Sequence, residues 1–337
     1  MPNLLDALRQ TCHVDCDTLD SDVAKGLGPF IDCTSNQAIA FFELTKSNVA
    51  KNELFHDALI KEAVVEARGA LKELQGGATI EEFVTEILMI KLQLIIAPNL
   101  TGYVHIQTNP KLSYSTSATV ENAQRIINIF IILAPDFDSK RVCIKVPATW
   151  EGMQACRILE NNGIATLATT MFCMEQAALA ADAQCTYIAP YVNELKVHFE
   201  AGTVDNNKAF DFCREAQAYY VGNSIRTQVL AASLTSVDEV MQLAGIQHVT
   251  VSPVLLRALA ETDLSTWDGK LGDYFARGPE IKSWEIRDYG ALVKDESAWR
   301  LAFTRSKFGA SEGKIISAIN YFSDFQEKLE AVVKSYL

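Results

Sequence analysis

Short apolar runs alternate with longer stretches of helical periodicity along the whole chain. The runs at 13–17, 29–34, 103–107, 142–146, 164–168, 185–189, 228–232 and 247–252 read as strands. Helical spacing fills most of the gaps, at 79–97, 118–134, 149–161, 173–183, 206–220 and 236–244. Within one such stretch Val120, Ala123, Ile127, Phe130 and Ala134 recur on a single predicted face. Near the C-terminus Ile315, Ile319, Phe322, Leu329 and Val333 form a stripe that predicts a long helix packed on the body of the protein. Strands this uniformly apolar belong in a parallel sheet covered on both faces. Eight of them alternating with helices predict an α/β fold, a closed (β/α)8 barrel. The second gap and the stretch after the eighth strand are long and helical. There is no low-complexity linker and no repeat, so residues 1–337 are expected to form a single barrel domain with helical additions.

Composition narrows the partners. Hydrophobic residues make up 49 % of the 337 and charged residues 21 %, ordinary values for a globular protein. The net charge is −12 with no basic tract, which argues against nucleic acid. No apolar run is long enough to span a membrane, and the N-terminus lacks a signal-peptide pattern. The eight cysteines show no zinc-ligand spacing and sit mostly in apolar runs. They are expected to be free, buried thiols of a cytoplasmic protein, with no metal site and no cofactor.

The candidate chemistry begins with one charge. Lys145 interrupts the apolar segment Val142-Cys143-Ile144-Lys145-Val146-Pro147. Desolvation favours a neutral amine, and a neutral amine is a nucleophile that forms a Schiff base with a carbonyl. The alternative is a lysine that snorkels out of the strand end. In a (β/α)8 barrel the reacting groups lie at the C-terminal ends of the strands. The polar residues there are Asp17, Asn36, Gln107, Lys145, Thr169, Tyr191 and Ser233. Any one of them alone reads equally as a cap or turn residue; together they converge on Lys145. Other signals carry less. Gly26-Leu27-Gly28-Pro29 reads as a turn rather than a nucleotide loop. The histidines at 13, 56, 105, 198 and 248 are scattered; His13 and His248 begin strands at the non-catalytic end, and His105 reads as structural.

An ordered series of motifs resembles the transaldolases, the class I (Schiff-base) enzymes of sugar-phosphate metabolism. Asp32-Cys33-Thr34-Ser35-Asn36-Gln37 is similar to the family's D-A-T-T-N-P, and Gly102-Tyr103-Val104 through Lys111-Leu112-Ser113-Tyr114 to G-R-V-S-T-E-V-D-A-R-L-S-F. Ile144 through Gly152 resembles I-K-L-A-S-T-W-E-G, and Thr250-Val251-Ser252-Pro253 with Leu255-Leu256 resembles T-I-S-P-K-L-L. The resemblance spans nearly the full length. It implies a transaldolase-type barrel, a small carbonyl substrate and a homodimer. It makes Lys145 the Schiff-base nucleophile, Asp17 the proton-transfer carboxylate, Asn36 a hydrogen-bonding partner of the substrate and Thr169 a holder of the catalytic water.

The departures from the family pattern are specific. Gln107 stands for the water-activating glutamate, Leu167 for an asparagine, and Ala189-Pro190-Tyr191 for serine-proline-phenylalanine. These changes resemble the sister fructose-6-phosphate aldolases, in which the tyrosine carries the acid/base role, so Tyr191 becomes a candidate acid/base. The two arginines with which the family grips phosphate correspond to Glu194 and Thr235. A carboxylate there repels phosphate, so the substrate is expected to lack one. Glu194 is expected to contact the substrate's polar or cationic part, alongside Ser233, Leu167 and Ala189. Four readings stay open: a Schiff-base aldol enzyme of specialised metabolism, an ordinary pentose-phosphate transaldolase, an imine-based condensation or cyclisation enzyme, and a non-catalytic carbonyl-binding protein.

Overall fold

Eight parallel strands close into a barrel in the computed structural model, which describes residues 2–48, 52–269, 273–280 and 282–337. They are β1 (His13–Asp17), β2 (Cys33–Thr34), β3 (Val104–Gln107), β4 (Val142–Pro147), β5 (Ala165–Met171), β6 (Tyr187–Pro190), β7 (Gln228–Ala231) and β8 (His248–Val251). Each strand pairs with the next, and β8 returns to β1. The predicted α/β barrel is therefore the observed fold. All six residues of β4 are buried, as a strand with helices outside and side chains inside requires.

Local differences from the sequence reading have identifiable causes. Only Cys33 and Thr34 of the predicted 29–34 strand join the ladder, and Phe30 makes an isolated bridge to Leu100. Pro29 has no N–H to contribute. Gly26 and Leu27, expected in a turn, instead close a helix, Ser21–Leu27, whose start is capped by Asp20. In the helix Thr116–Leu133 the buried face runs through Thr119, Asn122, Ala123, Ile126, Ile129 and Phe130; Ala123 and Phe130 of the predicted face lie on it, while Val120, Ile127 and Ala134 are half-buried at its edge. The buried Glu86 carboxylate is the reason that Asn122 joins it. Asn122 donates to it at 2.7 Å and Arg125 at 2.7 Å, which turns polar residues of this helix inward.

The C-terminal helix Ala310–Lys334 buries Ile315, Ile319, Phe322, Leu329 and Val333, the predicted stripe. It packs against the helices Gln37–Leu44 and Ile80–Ile96 and brings Phe322 to the barrel mouth. All eight cysteines are free thiols, seven of them buried. No helix of the described residues is long and apolar enough to cross a membrane.

Inside the barrel, side chains of one face recur every second residue. Asp15, Asp32, His105 and His248 each lie two residues before Asp17, Thr34, Gln107 and Thr250. They form a sealed network in the lower half. Asp15 accepts from His248 Nδ1 at 2.9 Å and from the Asp32 backbone N–H at 2.9 Å. Asp32 pairs with His105 Nε2 at 2.9 Å and accepts from the Tyr103 N–H at 2.7 Å. The Tyr187 ring packs on both imidazoles, 5.5 Å from His105 and 5.1 Å from His248. Gly102 makes room for this arrangement, since a Cβ there would sit 2.1 Å from Asp32 Oδ1. Burial pushes the Asp15 carboxyl up to about 6. The bond and charge of His105 outweigh burial at Asp32 and hold it below the usual carboxylate range. One ligand atom each from Asp15, Asp32 and His248 lies within 4.8 Å of the others. The hydrogen bonds just described already occupy those atoms.

Candidate active site

The C-terminal ends of the strands open into a cavity of about 470 Å³ whose wall includes Asp17, Asn36, Lys145, Tyr191 and Ser233. That volume accommodates a small organic substrate. Lys145 is only 2 % exposed, so the expected alternative, a lysine snorkelling to solvent, does not hold. Its amine donates to Ser35 O at 3.3 Å, a long contact with a neutral acceptor. Ser35 is fixed in turn, donating to His105 O at 2.9 Å and accepting from Gln93 at 2.9 Å.

Asp17 is held by a two-hydroxyl relay. Thr34 Oγ1 donates to Asp17 Oδ1 at 2.7 Å and lies 2.6 Å from Thr250 Oγ1. With its own proton committed to Asp17, Thr34 accepts from Thr250. The relay orients one carboxylate oxygen and leaves the other for a ligand hydroxyl. Asn36 caps the helix Gln37–Leu44, accepting from the Ile39 N–H at 3.0 Å. Its oxygen is thereby spent, and its NH₂ remains as a donor.

The end of β5 is irregular. Its register with β6 shifts between Ala168 and Met171, and Thr170 adopts φ +56°. Such a bulge re-aims the flanking side chains. Thr169 Oγ1 reaches the Tyr191 hydroxyl at 3.5 Å, and the Phe172 ring meets Tyr191 edge-on at 6.1 Å. Gln107, paired in register with Lys145, is 2 % exposed, and neither its amide oxygen nor its nitrogen has a protein partner. Leaving such groups unpaired costs about 1–3 kcal/mol each, so the amide is set for a water or a ligand.

The other candidate residues occupy different places. Thr169, Gln107, Leu167 and Ala189 are buried around the cavity without forming its wall. Leu167 is Lys145's neighbour on β5 and fills volume behind it. Glu194 also stands off the wall. It pairs with Lys196 at 3.3 Å, and its backbone N–H donates to Asp205 at 2.8 Å. Thr235, at the other arginine position, donates to Glu239 at 3.0 Å through its hydroxyl. A second carboxylate thus stands beside Thr235.

Three features of the site escaped the sequence reading. His198 lines the cavity, 2.8 Å from Ser233 Oγ. The Thr34–Thr250 relay joins residues 216 apart in sequence, although period-two alternation from Asp32 and His248 places both hydroxyls inward. Phe42, Phe199 and Phe322 supply aromatic surface at the mouth. Nothing in the spacing of His198 marks it.

Comparison with known proteins bears on this geometry. The family model described as Transaldolase/Fructose-6-phosphate aldolase matches residues 14–299. A transaldolase of Rhizobium rhizogenes is 30 % identical over 344 residues, covering 100 % of this chain and 98 % of the relative. Transaldolases of Chlamydia felis and Rhizobium etli are 28 % and 32 % identical over 345 and 278 residues, covering 100 % and 80 % of this chain and 98 % and 80 % of each relative.

Proposed function

The chain belongs to the transaldolase/fructose-6-phosphate aldolase family, and on that premise we propose that it is a Schiff-base aldol enzyme acting on a carbonyl substrate without a phosphate. The observation that carries the proposal is Lys145 buried at the barrel mouth with only a backbone carbonyl for a partner, beside an oriented carboxylate and a phenol.

The Lys145 amine adds to the carbonyl carbon, and the carbinolamine oxygen leaves as water, giving an iminium that takes up the electron pair of the adjoining carbon–carbon bond. No metal or organic cofactor takes part in this scheme. Asp17, fixed by the Thr34–Thr250 relay, receives the proton of the substrate hydroxyl as that bond breaks. Tyr191, with Thr169 at its hydroxyl, gives the proton with which the carbinolamine oxygen leaves as water. The Asn36 NH₂ donates to a substrate oxygen. Gln107 positions the water that hydrolyses the iminium; an amide cannot take a proton from it. Ser233 contacts the distal part of the substrate, while Leu167 and Ala189 shape the volume around Lys145.

The charges support the substrate assignment. Among the described residues the cavity wall holds Asp17 and Lys145 with His198, and no arginine. Nearby cations carry their own carboxylates: Lys196 with Glu194, Lys208 with Glu239 at 2.6 Å, and Lys314 with Asp205 at 2.7 Å. The names of the relatives favour a second reading, ketol transfer between sugar phosphates.

Borohydride trapping with a panel of ketones, followed by peptide mass mapping, tests the first reading. A reduced adduct at Lys145 is expected with unphosphorylated hydroxyketones. Absence of an adduct with every carbonyl refutes imine catalysis. Micromolar affinity for fructose 6-phosphate with turnover onto an aldose phosphate returns the protein to ketol transfer.

A further inference from the structure

The cavity extends from Lys145 along a wall of Phe42, Leu195, Phe199, Leu234, Val254 and Phe322. Phe42 and Val254 remain 56 % and 72 % exposed, apolar surface left at the mouth of a binding cavity. The rings are set by their neighbours: Phe325 lies 5.4 Å from Phe42 and 5.0 Å from Phe199. Flat rings at fixed positions favour another ring over a hydrated chain.

One polar pair interrupts this wall. Ser233 Oγ lies 2.8 Å from Asn193 O and 2.8 Å from His198 Nε2. The carbonyl can only accept, so the serine proton goes to it. Ser233 must then accept from a protonated His198 Nε2, which leaves Nδ1 of the neutral ring as a free acceptor. His198 keeps an exposed edge at the mouth, and the partial loss of water around its ring lowers its pKa against the pull of Asp17 and Glu239, in the direction of that neutral form. Ser233 is held at φ +64°, a left-handed conformation costly for a non-glycine residue. Asn193 Nδ2 pins it by donating to Ser233 O at 2.9 Å. Strain retained at a cavity wall is a mark of a site with a function.

We propose that this wall is the acceptor subsite, and that it takes an uncharged aldehyde with an aromatic body and a hydroxyl group that donates to His198 Nδ1. The reaction rests on the Lys145 imine reading. The imine of a ketone donor loses an α-proton to the Asp17 carboxylate to become an enamine, and its α-carbon uses the enamine electron pair to form the new bond with the aldehyde carbon, regenerating the iminium. The aldehyde oxygen takes the carbonyl π pair and the proton from Asp17, and water then releases Lys145 from the iminium.

Two measurements on the full chain separate the subsite from the imine. The first is aldol addition of dihydroxyacetone to 4-hydroxyphenylacetaldehyde, phenylacetaldehyde and glyceraldehyde 3-phosphate, read as kcat/KM. The hydroxylated aldehyde is expected to exceed phenylacetaldehyde about tenfold, and both to exceed the phosphate about a hundredfold. His198→Phe should collapse the first ratio to near unity, and His198→Gln, which keeps an acceptor, should restore part of it. The second is calorimetric binding of unreactive 4-hydroxyphenylacetamide and phenylacetamide, which needs no imine. A preference of about tenfold for the phenol, lost in His198→Phe, supports the subsite even if no ketone traps at Lys145. Equal binding of the two amides, no binding of either, or a kcat/KM highest for the phosphate overturns it, including when dihydroxyacetone traps normally at Lys145.

Discussion

Lys145 at the barrel mouth and the Asp15–His248 and Asp32–His105 pairs beneath it are all ionisable groups withdrawn from water, yet their surroundings differ. In the lower half each carboxylate oxygen accepts a hydrogen bond from an imidazole or a backbone N–H, and Tyr187 packs between the two rings. At the mouth, Lys145 has one long bond to a neutral carbonyl, and the Gln107 amide has no protein partner. Buried polar groups that satisfy one another fix a structure. Buried polar groups with spare valence, on the cavity wall like Lys145 or behind it like Gln107, are placed for a substrate or a water. Strands β1, β2, β3 and β8 carry the lower network two residues below residues of the mouth; there every carboxylate oxygen is bonded, although His105 Nδ1 has no protein partner, so the division is one of carboxylate pairing rather than of fold.

Lys145→Met should break this comparison most sharply if it is wrong. Activity and borohydride adduct formation should fall by about 10⁴ or more, as on removal of a covalent nucleophile. The melting temperature should hold or rise, because a buried polar head with only one long bond to a neutral carbonyl is removed. A large loss of stability would make Lys145 a structural residue like those below it. Asp32→Ala should do the opposite. It leaves His105 buried without its carboxylate, and urea denaturation should show a loss of about 3–5 kcal/mol.

The lower network also sets a pH dependence. The folded Asp15 carboxyl titrates near 6, raised by burial above its unfolded value, and His248 is raised by the Asp15 bond and charge against its own burial. Both groups hold protons in the folded state that the unfolded chain releases. Stability therefore falls as pH rises, first between about 4 and 6 through Asp15, then as His248 loses its proton above its unfolded value. Asp32, lowered, acts in the reverse direction: its contribution is present above its unfolded value and is lost as acid protonates it. Melting temperatures of the wild type and of Asp15→Asn, followed from pH 4 to 8, should differ in slope, with the variant flatter between 4 and 6. Equal slopes would remove Asp15 from the account.

How far the sequence could be read depended on the range of the interactions involved. Strands β4 and β5 stand out because a short, mostly apolar run of strand-forming residues depends on local pattern alone. The length of β2 does not, because its ladder depends on where Pro29 and Phe30 fall against β3. The polar part of the buried face of the helix Thr116–Leu133 is missed by hydrophobicity because Glu86, 36 residues upstream of Asn122, pulls amide and guanidinium inward. At the site, Lys145, Asp17, Asn36, Tyr191 and Ser233 were readable as polar groups at strand ends, and they share one cavity. Glu194 follows β6 outside the wall, with its carboxylate paired to Lys196 and its backbone N–H bonded to Asp205, contacts that the sequence pattern does not signal. His198 lies in a short turn of 3₁₀ helix, Leu195–His198, where no periodicity signals direction.

The smallest predicted effect tests the principle behind the comparison. Gln107→Leu removes an amide that has no protein partner in a buried position. If the amide is unsatisfied in the free protein, its desolvation cost disappears and the protein should gain about 1 kcal/mol. The same change should slow release of the product from the trapped imine, because nothing then holds the hydrolytic water, while formation of the borohydride adduct at Lys145 persists. A fall in stability would mean that Gln107 already bonds a fixed internal water, and its amide would then be paired as the Asp15 and Asp32 carboxylates are. A gain in stability together with a slower hydrolytic step would show one amide kept at a cost to folding because the reaction needs it.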